Sequence, residues 1–282
     1  MMLRAKLMSV FMALVAQLPL RQQPAPPAPP QPAQTFWVQT DNTPRANIAG
    51  VVLPARGTPK GTLFVCHGYG RRKEGMYGLN WIREQLGWNI VLFDFREHGQ
   101  SSKSIHLCSL GYNEIWDVKA VVDHAEQQGL AKPYAIYGVS MGASTGVRWA
   151  AQDPRIKGVL ALSPYRSGLD ACRLFLWRKF HLVFDSTDLH AGLKAMLSAV
   201  DLPTDVAARN DLRLWILCGE NDWWPVSHEQ SILDGSPSPP SFKKLFVIPG
   251  GNHGNLWAWK GNSTIPAHDQ IVRDFLRACR AN

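Results

Sequence analysis

The chain offers no spacing at which a metal is ordinarily held: its 9 histidines include no His-x-x-x-His pair and its 5 cysteines no Cys-x-x-Cys. Zinc sites of the common kinds are therefore not expected, and no cofactor is implied. Lys/Arg runs interleaved with aromatics are also missing. The net charge of +8 is spread along the sequence, which fits a generally basic surface better than a nucleic-acid site. An acidic substrate or an anionic membrane surface stays compatible with it. The longest N-terminal apolar stretch, even counted from Leu7 to Leu20, is too short for a comfortable membrane-spanning helix, so no stable span is expected. Cysteine is scarce and odd in number. Cys66 and Cys218 fall in apolar strands and read as buried residues, and at most one bridge, such as Cys108 to Cys172, is compatible with the rest. Charged residues are somewhat few, at 18%, while the hydrophobic share of 45% is ordinary. A soluble globular protein with a substantial core follows.

The N-terminus stands apart from the fold. Met1–Lys6 is basic, Leu7–Ala16 apolar and Gln22–Gln34 rich in Pro and Ala. That is the order of an export signal and an extended linker, and periplasmic or secreted localisation is the expectation. Leu14 occupies a position where cleavage after Ala16 wants a small residue, so an uncleaved membrane tether and a cytoplasmic product stay open. The segment 1–34 is set aside, and 35–282 fits one domain with one core.

The most informative stretch is Tyr134 to Gly146, where an apolar strand runs into Gly138-Val-Ser140-Met-Gly142 and then an alanine-rich helical segment. A strand-to-helix turn of this kind holds its central residue in a strained conformation and needs small neighbours on either side. Ser140 is thereby a candidate nucleophile. The amide of Met141, at the positive end of the following helix, is a candidate oxyanion donor. A serine hydroxyl needs a base and an acid. Leu212 to Cys218 is an apolar strand followed by Gly219 and Asp222, the candidate acid; Lys244 to Ile248 is another, emptying into a glycine-rich loop with His253, the candidate base. Three polar side chains just past three strand ends converge along one sheet edge.

The chain order Ser140, Asp222, His253, each at a strand end, closely resembles the α/β-hydrolase superfamily, from about Phe36 to the C-terminus. Two further segments carry the resemblance: Thr62 to Gly70, a strand ending in His67-Gly68-Tyr69-Gly70, and Ile90 to Ser101, similar to the family's Asp-x-Arg-Gly-His-Gly-x-Ser with Glu97 where Gly is usual. The resemblance implies an α/β fold with a mostly parallel eight-stranded sheet flanked by helices, a Tyr69 amide in the oxyanion hole, and a helical cap inserted at about 165–210. Asp170 is the rival acid, because some members place it after the preceding strand; the Gly-x-x-Asp-x-x-Pro setting favours Asp222. His67 reads as ordering the oxyanion loop and His98 as a turn residue, while the other six histidines carry no motif.

Strands are expected at Phe36–Thr40 and Ile48–Pro54, as an antiparallel edge pair, and at Gly61–His67, Asn89–Asp94, Tyr134–Tyr137, Ile156–Leu162, Leu212–Cys218 and Leu245–Ile248. Helices are expected near Leu79–Leu86, Asn113–Gln128, Met141–Gln152, Val226–Leu233 and Ile271–Arg280. Between Ser163 and Asp211 lie Leu174, Phe175, Trp177, Phe180, Leu182 and Phe184. With Trp223, Trp224, Trp257 and Trp259 these rings either line an apolar acyl pocket or pack the cap onto the sheet. Hydrolysis of a small-molecule ester through an acyl-enzyme is the expected activity. Prolyl-oligopeptidase-like peptidase, thioesterase and acyltransferase chemistry use the same groups, and a catalytically silent binding protein is the alternative from another class. Oligomeric state is not legible.

Overall fold

A strand covered on both faces needs unbroken apolar sequence, and the central strands have it. In the computed structural model, which describes residues 27–103, 108–183, 185–256 and 266–281, β3 (Thr62–Cys66), β4 (Asn89–Phe93) and β5 (Tyr134–Val139) are buried at every position. β2 (Asn47–Leu53), β6 (Ile156–Leu162) and β7 (Arg213–Asn221) are buried over most of their length. β1 (Gln34–Gln39) and β8 (Lys243–Asn252) are more open, as the two edges of the sheet. The spatial order is β1-β2-β4-β3-β5-β6-β7-β8. β2 runs antiparallel to both β1 and β4, and the strands from β3 onward are parallel to their neighbours. This is the expected mostly parallel, eight-stranded α/β sheet with its antiparallel opening pair.

The chain leaves β3 for β4 on one side and returns to β5 on the other. The loops after β3 and β5 therefore diverge, and the crevice between their C-terminal ends is where such a sheet binds ligands.

Alternating strand residues feed two cores. One face gathers Phe64, Val91 and Ile136 with helices α1 (Glu114–Gln127), α2 (Met141–Ala150), α5 (Leu202–Val206) and α6 (Val226–Gly235), through Val118, Val147, Val206 and Ile232. The other gathers Leu63, Leu92 and Leu217 with Met76, Ile82 and α7 (Pro266–Arg280), through Val272 and Phe275. Between β6 and β7 stand α3 (Gly168–Phe180), α4 (Ala191–Ser198) and α5. Cys172, Leu176, Leu189 and Leu197 give this insertion a small core of its own. Arg148 of α2 fastens it down, bonding Asp205 at 2.8 Å and the Ala199 carbonyl at 2.8 Å.

One expected helix differs. In place of Leu79–Leu86 there is a 3-10 segment, Lys73–Asn80, followed by a π turn, Ile82–Leu86. Lys73 pulls the start N-terminal, because its backbone N–H and its ammonium both reach the buried Asp94 carboxylate, at 2.7 and 2.6 Å. Gly75 and Gly78 within the segment lower the preference for a regular α turn.

All five cysteines are unpaired, so the Cys108–Cys172 bridge is not formed: Cys172 sits in the insertion core, and Cys108 Sγ lies 3.2 Å from Met141 Sδ. Among the described residues no helix is long and apolar enough to cross a membrane. The signal-like segment, the start of the Pro-rich linker, His106, Phe184, Trp257, Trp259 and the Phe180 side chain lie outside the described residues.

Candidate active site

Ser140 joins β5 to α2 at φ 51 and ψ −117, a positive-φ conformation that costs a non-glycine residue on the order of 1–3 kcal/mol. Its N–H donates to the Leu162 carbonyl (2.8 Å) and its own carbonyl accepts from the Ser144 N–H (3.0 Å), so the turn is held from both sides. Glycine is required next to it. A Cβ on Gly142 would overlap the Cys66 and His67 carbonyls of the β3 end, and one on Gly138 would lie 2.5 Å from the Gly142 oxygen. Strand and helix backbones touch there, and the serine hydroxyl stands in the crevice.

His253 follows β8, and its Nε2 lies 3.1 Å from Ser140 Oγ. Its Nδ1 lies 2.7 Å from Asp222 Oδ1, in the turn after β7. A carboxylate accepts only, so Nδ1 carries the proton and Nε2 is left to accept from the serine. Asp222 Oδ2 also accepts from the Ser163 hydroxyl. Burial works to raise the Asp222 carboxyl, but the His253 side chain, the Ser163 hydroxyl and the Trp223 N–H outweigh it and hold it below the usual carboxylate range. Asp170 is occupied elsewhere: its carboxylate pairs with Arg166 at 3.0 Å and accepts from Ser167 Oγ at 2.8 Å, at the start of α3.

Gly68 lies against Ser140, since a Cβ there would sit 3.5 Å from Ser140 Cβ. Tyr69 is next along the loop. The peptides on both sides of it are pinned by histidines. His67 Nδ1 donates to the Gly68 carbonyl (2.9 Å) while its Nε2 accepts from the Phe95 N–H (3.1 Å). His98 Nδ1 donates to the Arg96 carbonyl (2.9 Å) while its Nε2 accepts from the Gly70 N–H (3.0 Å). Each ring uses one nitrogen as donor and one as acceptor, as a neutral imidazole does. Burial, with His98 close by, pushes His67 down to about 3, and burial also lowers His98. His98 is thus a brace for the loop and more than a turn residue. Met141, at the other side of Ser140, is the first residue of α2, so its amide has no carbonyl four residues back within the helix.

The remaining motif residues hold this loop in place. Asp94 also accepts from the Gln100 N–H (2.9 Å), Arg96 pairs with the buried Asp117 of α1 (2.7 Å), and Ser101 Oγ donates to the Asp94 carbonyl (2.6 Å). Glu114 and Asp117 are the two buried carboxylates on the α1 face that also carries Val118 and Val121, and Arg96 pairs with the second. Glu97 adopts φ 64, which explains why Gly is usual there.

Two tryptophans follow Asp222. Trp224 is buried, donates from Nε1 to the Ser163 carbonyl (3.3 Å) and meets the His253 ring edge-on. Trp223 lies flat on the imidazole, with ring centres 3.9 Å apart and planes 14° apart, and the Arg178 guanidinium of α3 is 4.8 Å from the same indole. Phe175, one turn earlier on α3, meets the Tyr69 ring at 5.5 Å. The aromatic segment of the insertion therefore divides: Phe175 faces the site, Leu176 packs inward, and Trp177 is 51% exposed. Among the described residues no cluster of His, Cys, Asp and Glu could hold a metal.

Sequence reasoning missed Ser163 and Glu229. Ser163 is a polar residue directly past an apolar strand, the same signal that marked the other three. Glu229, on α6, is fully buried and neither carboxyl oxygen has a hydrogen-bond partner among the described residues. Burial, reinforced by the charge of Asp222 and only weakly opposed by the residue's own backbone N–H, pushes it up from 4.5 to about 8. The folded state keeps a proton that the unfolded chain has lost, so stability declines as pH rises through that window. Glu229→Gln keeps the shape and cannot ionise. It is expected to match the wild type near about pH 5 and to exceed it by a few kcal/mol near about pH 9. Urea midpoints across that range check this, and parallel curves for the two proteins would contradict it.

An eight-stranded sheet of this order, with a serine at the turn after its fifth strand, defines an α/β hydrolase. The chain belongs to the alpha/beta hydrolase fold family, whose model matches residues 61–205. Among solved structures it is similar to the esterase Pf2001 of Pyrococcus furiosus, with TM-score 0.66 and 18% identity over 87% of this chain and 92% of that one. It is similar also to Est1E from Butyrivibrio proteoclasticus with ferulic acid bound, with TM-score 0.67 and 17% identity over 88% of this chain and 100% of that one. A curated relative, the uncharacterized protein YqkD of Bacillus subtilis (strain 168), is 32% identical over 108 residues, 37% of this chain. The chain spans 33% of that relative's length in the match.

Proposed function

We propose that this protein is a serine hydrolase that cleaves carboxylic esters through an acyl-enzyme. The observation that carries the reading is the unbroken chain of hydrogen bonds from Ser140 Oγ through both nitrogens of His253 to Asp222, at 3.1 and 2.7 Å. Ser140 attacks the ester carbonyl while His253 Nε2 takes the hydroxyl proton. The Tyr69 and Met141 amides receive the developing oxyanion. His253 then returns the proton to the leaving alcohol, and water repeats the sequence on the acyl-enzyme. Asp222 holds the imidazole in the required tautomer and balances the positive charge it acquires, and Ser163 in turn holds Asp222. The strain kept at Ser140 supports the same reading, since such strain concentrates at functional sites.

Fluorophosphonate labelling tests it: a single phosphonylated site at Ser140 is expected, with labelling lost in Ser140→Ala. A protein that hydrolyses nitrophenyl esters without being labelled would overturn the serine mechanism. The same assay in a thioester series separates esterase from thioesterase preference.

Acyl selection is assigned to the face of α3 that carries Phe175. Phe175→Ala is expected to change the preference between short and medium acyl esters by about 1–3 kcal/mol in kcat/KM, the usual worth of small changes in an apolar pocket. Trp177→Ala, which removes a half-exposed ring, is expected to leave preference unchanged and stability within about 0.5 kcal/mol. An ester series and a melting curve on both variants decide this; a larger specificity change from Trp177 would move the pocket to the outer face of α3.

A further inference from the structure

Neighbouring tryptophans in the same turn do different work. Trp224 is buried and hydrogen-bonded, which accounts for it as packing. Trp223 leaves 43% of its surface in solvent and makes its ring stack with the one side chain that must change charge during acyl transfer. Packing alone does not call for an indole there. What the geometry supplies is an electron-rich π face at 3.9 Å, parallel to the imidazole. The Arg178 guanidinium over the same ring shows that this indole already acts as a partner for a cation.

We propose that Trp223 is a positioning residue that stabilises the cationic form of His253 through its π face, a role that rests on the serine-hydrolase reading. When His253 takes the Ser140 proton, Nε2–H forms, Nδ1 keeps its proton and goes on donating it to Asp222, and the ring carries one positive charge. A cation over an aromatic face is attracted by the ring quadrupole, most strongly for Trp. The neutral imidazole of the resting state gains far less from the same face. The attraction is therefore larger in the transition state than before it, and an interaction of that kind raises kcat without tightening substrate binding.

The test replaces Trp223 by Phe and by Leu and, by nonsense suppression at this position alone, by 5-fluoro-, difluoro- and trifluorotryptophan. Fluorine drains the π face while nearly preserving shape, so a purely structural role would not respond to it. Trp223→Leu is expected to lower kcat about tenfold with KM nearly constant, and Trp223→Phe to recover most of that loss. Across the fluorinated series kcat is expected to fall stepwise with each fluorine, with melting temperature unchanged. A kcat indifferent to fluorination, or a Trp223→Leu protein as active as wild type, overturns the proposal. Ser140→Ala is assayed alongside: if it is inactive while the fluorinated series is flat, the Trp223 role fails and the serine mechanism stands. If it retains full hydrolysis, the serine mechanism fails and the Trp223 role falls with it.

Discussion

Replacing Ser140 by Ala is expected to lower ester turnover by about 10⁴ to 10⁶, leaving only what substrate binding and the oxyanion amides supply. Folding should survive, because Ala keeps the Cβ and the backbone bonds to Leu162 and Ser144 that hold the turn. A companion variant separates chemistry from strain. Ser140→Gly removes the same hydroxyl but also relieves the positive φ of 51. It is expected to be equally inactive and about 1 kcal/mol more stable than wild type, the relief of strain exceeding the added flexibility of the unfolded chain. Turnover and urea midpoints on the pair measure both effects. Near-normal hydrolysis by either variant would remove Ser140 from the mechanism, and a destabilised Gly variant would remove the strain.

Asp222→Asn is expected to cost about 10⁴ in kcat, because an amide can donate to His253 Nδ1 and so select the tautomer whose Nε2 already carries a proton. The imidazole then cannot accept from Ser140. Asp170→Asn loses its ion pair with Arg166, which is partly exposed, so a stability change of about 1 kcal/mol or less is expected, with turnover within about threefold. The ratio of the two kcat losses is the measurement. A larger loss from Asp170 would reassign the acid.

The residues that sequence alone brought forward are those whose constraint is local. Gly138 and Gly142 are dictated by backbone contacts within a single turn, and a polar residue just past an apolar strand is visible without knowing the strand's neighbours. The same reasoning failed where a partner comes from a distant segment. Ser163 reaches Asp222 because β6 and β7 pair in register, Leu162 opposite Leu217, and no short window contains that pairing. His98 looked like a turn residue because its partner, the Gly70 amide, lies 28 positions away. The Leu79–Leu86 helix was misjudged for a similar reason: periodicity cannot register that Lys73 is tied to Asp94. Glu97 was visible as a departure from the usual Gly, but its left-handed backbone was not.

The overlap that any Cβ at Gly142 would make with the end of β3 has a consequence for how this protein can change over evolutionary time. It means that the spacing between the end of β3 and the start of α2, where Met141 lies, is set by main chain resting on main chain. Mutation alters side chains, so it has little purchase on that spacing. The insertion between β6 and β7 is built oppositely, with its own small core and side-chain contacts to the rest. Lineages and laboratory libraries can therefore vary the outer part of the insertion while the seat of Ser140 between β3 and α2 is inherited unaltered.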